Sequence, residues 1–146
     1  MADTGWLYPA QGENIFFKAE IAMAWTQPNY IIADDSSYAS QAHSKDYPKK
    51  AHIAGFNFNL SSIPAEATIS GIEVVINRYH STADNCTDSV VSLGKVTRTW
   101  YPEANEWSYS ATLSGDNKAS ASYWETSLTD KTYGGSSDLW NADYTR

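Results

Sequence analysis

The chain has 146 residues, with 17 Asp and Glu against 10 Lys and Arg, a net charge of 10 − 17 = −7. Charged residues make up 18 % and aromatics 14 %, the latter as 6 Trp, 10 Tyr and 4 Phe. The length suits one domain, the ring content excludes a disordered chain, and the acidic balance excludes sequence-independent binding to nucleic-acid phosphates.

Residues 1–6 carry neither a basic nor a long apolar stretch, so no secretory signal peptide is expected. No window approaches the roughly 20 apolar residues of a membrane-spanning helix. The single cysteine, Cys86, excludes an intrachain disulfide framework and a multi-cysteine zinc site. These features predict synthesis in a reducing cytoplasm, with any exit by lysis or inside a particle.

Helical periodicity is scarce. Residues 15–25 are the best helical segment, with Phe17, Ile21 and Trp25 on one stripe, but they read equally well as a strand with Phe16 and Phe17 straddling a sheet. Residues 53–60 alternate as a strand, placing Phe56, Phe58 and Leu60 on one face and Asn57 and Asn59 on the other. A turn on Ser61, Ser62 and Pro64 follows, and residues 69–79 read as a long strand carrying Ile72, Val74 and Ile76 inward.

Residues 81–88 are turn-like, 89–96 form the next strand, and 97–100 continue it. Pro102 to Asn105 breaks the ladder before residues 107–113, where Trp107, Tyr109, Ala111 and Leu113 alternate. Ser114-Gly-Asp-Asn117 is a turn signal, residues 119–124 a short strand, and Tyr133-Gly-Gly135 leads to Leu139 and Trp140. Seven or eight short strands at 8–12-residue spacing predict an all-β, antiparallel, jelly-roll-like sandwich spanning 1–146 as one domain. Its expected interior is Ile15, Phe16, Ile53, Phe56, Phe58, Leu60, Ile63, Ile69, Ile72, Val74, Ile76, Val91 and Leu93.

Candidate chemistry is sparse. His43, His52 and His80 lack the close spacing of a zinc pair, and no G-x-S-x-G elbow accompanies Cys86. Asp34 and Asp35 beside Ser36 and Ser37 are candidate calcium ligands. They lack the alternating spacing of a calcium loop and so read first as a local turn. Glu103 and Glu106, flanked by aromatics, form the one carboxylate pair suited to glycoside cleavage, a reading ranked last. Asn85-Cys86-Thr87 and Asn59-Leu60-Ser61 match the glycosylation sequon and read as chance matches without a leader. The expectation is a non-enzyme with no catalytic residues, cofactor or metal.

Twenty aromatics exceed what one small sandwich core needs, so a subset is expected on the surface. Trp6, Tyr8, Trp100, Tyr101, Trp107, Tyr109, Trp124 and Trp140 are the candidates for burying rings against a partner or stacking them on sugars.

Three segments carry a resemblance. They are Trp25-Thr-Gln-Pro-Asn29 with Ala33-Asp-Asp35 and Tyr38-Ala39; Phe56-Asn-Phe58 running into Ile63-Pro-Ala-Glu-Ala-Thr-Ile69 and Gly71-Ile72; and Tyr133-Gly-Gly135 with Asp138-Leu-Trp140. Together, over residues 6–140, they resemble a β-sandwich module of tailed-phage virion and tail-associated proteins. The middle segment is also similar to sandwich domains of surface proteins. The resemblance implies a jelly-roll-like fold and a place in a virion or extracellular assembly, and it supplies no catalytic residue. Such modules continue past the Asp-Leu-Trp segment with closing strands, whereas this sequence stops at Arg146.

A sandwich short of a strand has an open edge, which a neighbour fills by strand addition. Residues 1–20 are the expected arm, with 6–17 as the exchanged strand. The first expected function is therefore a structural subunit of a phage-like virion or extracellular filament, with itself, other virion proteins or glycans as partners. The alternative is a carbohydrate-binding module of a phage tail or cell-surface protein. Neither nucleic acid nor membrane is an expected partner.

Overall fold

The structure, a computed structural model, describes residues 5–15, 24–42, 52–81, 86–113 and 115–141. The expected Phe16 and Phe17, residues 16–23 of the segment 15–25, His43 and Asn85 lie outside the described residues. The described residues are all-β apart from one short 3-10 helix at Pro28–Ile32. Their strands are β1 (Gln11–Ile15), β2 (His52–Phe56), β3 (Ile72–Arg78), β4 (Gly94–Tyr101), β5 (Glu106–Leu113) and β6 (Thr129–Gly135). Among the described residues these form three two-stranded sheets, β1-β2, β3-β6 and β4-β5. An isolated antiparallel bridge joins Thr26 and Ser40. Among the described residues no helix is long and apolar enough to cross a membrane.

The chain divides into two compact units. Unit 1 comprises residues 1–67 and 96–111, and unit 2 comprises 68–95 and 112–146.

In unit 1, β1 pairs antiparallel with β2, setting Gln11 opposite Phe56 and Ile15 opposite His52. Gln-Gly-Glu-Asn-Ile is poor in the β-branched and aromatic residues that favour strands. Side chains hold it instead. Asn29 Oδ1 accepts from the Gly12 amide at 2.9 Å, while Asn14 accepts from the Trp25 amide at 2.7 Å and donates to its carbonyl at 3.0 Å. Gly12 is required there, because a Cβ would strike the Pro28 carbonyl oxygen and approach Ile31 Cγ1 to 2.7 Å. Ile15 ends the strand fully buried. Within the segment 6–17, β1 is paired with β2 of its own chain.

β2 stops at Phe56, four residues short of the expected end. Asn57 has φ 60, the left-handed region that Asn tolerates better than most residues. That turn breaks the alternation, so Phe58 and Leu60 are 43 % and 45 % exposed rather than interior. Leu60 then accepts from the Ile63 amide and Pro64 from the Ala67 amide, closing the expected turn.

In unit 2, β3 pairs antiparallel with β6, from Ile72 opposite Gly135 to Arg78 opposite Thr129. Tyr133 and Trp140 supply its buried rings, with Trp140 only 1 % exposed. The Trp140 indole N–H donates to the Ile72 carbonyl at 2.9 Å, and the Ile72 amide donates to the Asp138 carbonyl at 2.9 Å. Ile69 and Ile76, expected inside, are among the exposed large apolar residues. The segment 89–93 is not a strand. It is tied instead by Asn117, whose Oδ1 accepts from the Val91 amide and whose Nδ2 donates to the Ser89 carbonyl. Residues 119–124 are likewise irregular.

A candidate binding face on the β4–β5 hairpin

β4 and β5 lie in unit 1 over residues 96–101 and 106–111. Pro102 to Asn105 joins them in a turn, where Tyr101 accepts from the Ala104 amide and Pro102 from the Asn105 amide. Asn105 sits at φ 50, again a left-handed position suited to Asn. Strand side chains alternate, so Val96, Arg98 and Trp100 share one face of β4. Cross-strand contacts put Trp107 and Tyr109 of β5 on that same face. Trp100 and Trp107 pack at 5.1 Å between ring centroids with a 54° tilt. The Arg98 guanidinium stands 4.6 Å over the Trp107 ring. Thr97, Thr99, Tyr101, Ser108 and Ser110 alternate onto the opposite, hydroxyl-rich face.

β2 closes one end of the aromatic face. Phe56 meets Tyr109 at 5.5 Å with a 46° tilt. Around them lies a groove of about 240 Å³ lined by Phe56, Asn57, Val96, Arg98 and Tyr109. A relay of amides braces its polar rim: Asn57 Nδ2 donates to Gln11 Oε1 at 2.7 Å, and Gln11 Nε2 donates to the Tyr109 hydroxyl at 3.3 Å. Nearby in unit 1, burial raises the Glu13 carboxyl above its ordinary range and lowers the His52 imidazole below its own.

The eight ring candidates separate by place. Trp100, Tyr101, Trp107 and half-buried Tyr109 come together on the hairpin. Trp6 and Tyr8 are also exposed, Trp6 at 61 %, in the segment before β1. Trp140 is a correction, because it is fully buried in unit 2, where its indole N–H finds a polar anchor in the Ile72 carbonyl. Trp124, also in unit 2, is half-buried and its indole donates to Asp88 Oδ1 at 2.9 Å.

Asp35 Oδ1 accepts from the Ser37 amide at 2.6 Å, the geometry of a local turn, and Asp34 is exposed beside it. Among the described residues no three His, Cys, Asp or Glu side chains group as metal ligands. Glu103 lies in the hairpin turn and Glu106 opens β5, both exposed. Half-buried Cys86 accepts from the Trp124 amide through its carbonyl.

Sequence reasoning picked out the hairpin rings but not Arg98, Phe56, Asn57 or Gln11. Arg98 had a legible signal, since it precedes Trp100 by two residues and so shares its face. Gln11 and Asn57 had none, as they reach the rim only through the β1-β2 pairing. Comparison with protein families, curated proteins and solved structures finds no match to this chain.

Proposed function

We propose that this chain is a non-enzymatic structural subunit that self-associates through the β4–β5 hairpin. One observation carries the reading: among the described residues β4 and β5 pair only with each other, leaving the outer edge of each strand open. A lone two-stranded hairpin is marginally stable in water. Unpaired amides and carbonyls along its edges are a template for another strand. Trp100, Tyr101 and Trp107 are all exposed on the same element, so the ring surface they leave in water can be buried against a partner along with the paired edge.

In this reading the three small sheets are parts of a jelly-roll-like sandwich that neighbouring copies complete, as subunits of a phage-like virion or extracellular filament. The net charge of −7 keeps free subunits apart until they meet in register. Strand addition between unlike surfaces gives rings where the rotation closes and filaments where it does not. Light scattering coupled to size exclusion tests the reading. Mass rising with concentration is expected, and a strict monomer at high concentration overturns it.

A further inference from the structure

We infer that the groove lined by Phe56, Asn57, Val96, Arg98 and Tyr109 is a subsite for an acidic sugar residue, one that carries a ring carboxylate. This goes beyond assembly, since it uses the groove between β2 and the hairpin while assembly uses the strand edges and the exposed rings Trp100, Tyr101 and Trp107. Three features of unit 1 define the ligand.

The first is size. At about 240 Å³ the groove is smaller than the roughly 300–1,000 Å³ that takes a drug-sized molecule, so it suits a single ring. The second is charge. The chain has 17 acidic residues, yet among the described residues Arg98 has no carboxylate or hydrogen-bond partner; its guanidinium stands 4.6 Å over the Trp107 ring. A guanidinium carries its N–H donors in a planar fork that meets a carboxylate two at a time.

The third feature is the pattern of polar groups. The Tyr109 oxygen accepts from Gln11, so its own proton is left to donate. Asn57 uses Nδ2 on Gln11, so its Oδ1 is left to accept. One donor and one acceptor beside the Phe56–Tyr109 ring pair match the hydroxyls of a sugar ring.

The test titrates the intact chain with trigalacturonate and triglucuronate by calorimetry, alongside a neutral galactose trisaccharide. At least one acidic trisaccharide is expected to bind about tenfold or more tighter than the neutral one, the worth of a charge-assisted hydrogen-bond pair. Arg98→Gln should remove that preference, and Tyr109→Phe should weaken binding several-fold. Lys95→Gln, which changes the net charge equally from outside the groove, should leave it intact. Far-UV circular dichroism confirms that each variant is folded. Three results overturn the inference: no binding of either acidic sugar, equal binding of acidic and neutral sugars, or an unchanged preference in Arg98→Gln. None of them bears on self-association, which light scattering reads separately.

Discussion

The Arg78 guanidinium and the Asp88 carboxylate form an ion pair inside unit 2, their side chains 3 % and 4 % exposed. Asp88 is the hub. It also accepts from the Ser120 amide at 2.9 Å, the Trp124 indole at 2.9 Å and the Tyr133 hydroxyl at 2.8 Å. Arg78 donates to the Tyr133 oxygen at 2.5 Å and lies between the rings of Trp124 and Tyr133, 5.1 and 5.7 Å from their centroids. Its Nε and Nη2 are buried without a hydrogen-bond partner, so the two ring faces are what offsets their desolvation. The pair anchors the segment around Asp88 to β3.

Asp88→Asn keeps the shape and removes the charge, leaving Arg78 buried without a counter-ion. A cost of about 3–5 kcal/mol is expected in urea unfolding followed by Trp fluorescence. Adding Arg78→Met should recover part of that loss, because the stranded charge goes too. An Asp88→Asn chain within about 1 kcal/mol of wild type would show the pair to be idle.

Burial, reinforced by the hydrogen bond to Asp88 and its charge, holds the Tyr133 phenol protonated well above the ordinary tyrosine range. Above pH of about 10, where an unfolded tyrosine ionises, the folded chain therefore keeps a proton that the unfolded chain has lost. The unfolded state gains by that release, so stability falls as pH rises through this window. Tyr133→Phe should flatten the fall between pH 10 and 11.5, whatever it does at neutral pH. An identical slope in both chains would contradict the assignment.

His52 carries the opposite sign. Burial lowers its folded value below the ordinary 6.5, so the unfolded chain binds the proton first as pH falls. Its contribution is present above pH of about 6.5 and declines in acid. Chemical unfolding of His52→Gln, compared with wild type at pH 7.5 and 5.5, should show a smaller acid loss in the variant. A greater acid loss in the variant would reverse the assigned sign.

Gly134 has φ +73, and a Cβ there would collide with the Trp140 indole nitrogen and the Ile72 carbonyl oxygen. These are the two ends of the bond that seats Trp140. Gly134→Ala should cost about 2 kcal/mol or more, from left-handed strain and loss of that bond. At Gly135 a Cβ meets nothing within 4 Å, so Gly135→Ala should stay within about 1 kcal/mol of wild type. Thermal unfolding of the two variants side by side separates them.

The contrast between adjacent glycines shows where sequence reading stops. The strand centred on Val74 was legible because Ile72, Val74 and Ile76 alternate, and the β4–β5 hairpin because Pro102 to Asn105 interrupts two aromatic runs. β1 was not, since Asn14 and Asn29 supply by side chain what its composition lacks. Phe58 and Leu60 kept the strand pattern, but the left-handed Asn57 ended the strand before them. The Arg78–Asp88 pair joins residues ten apart that no local pattern links. In the candidate site the rings were legible by period, whereas the rim residues Gln11 and Asn57 depend on β1-β2 register.

The central claim is that open strand edges on the hairpin join copies of this chain, and amide hydrogen exchange reads those edges directly. Exchange should be followed across β4 and β5 at increasing protein concentration. The account predicts that outward-facing amides of residues 94–101 and 106–113 become protected as concentration rises, while the amides that pair β3 with β6 inside their own ladder change little. Exchange of the hairpin amides that is rapid and independent of concentration would contradict it.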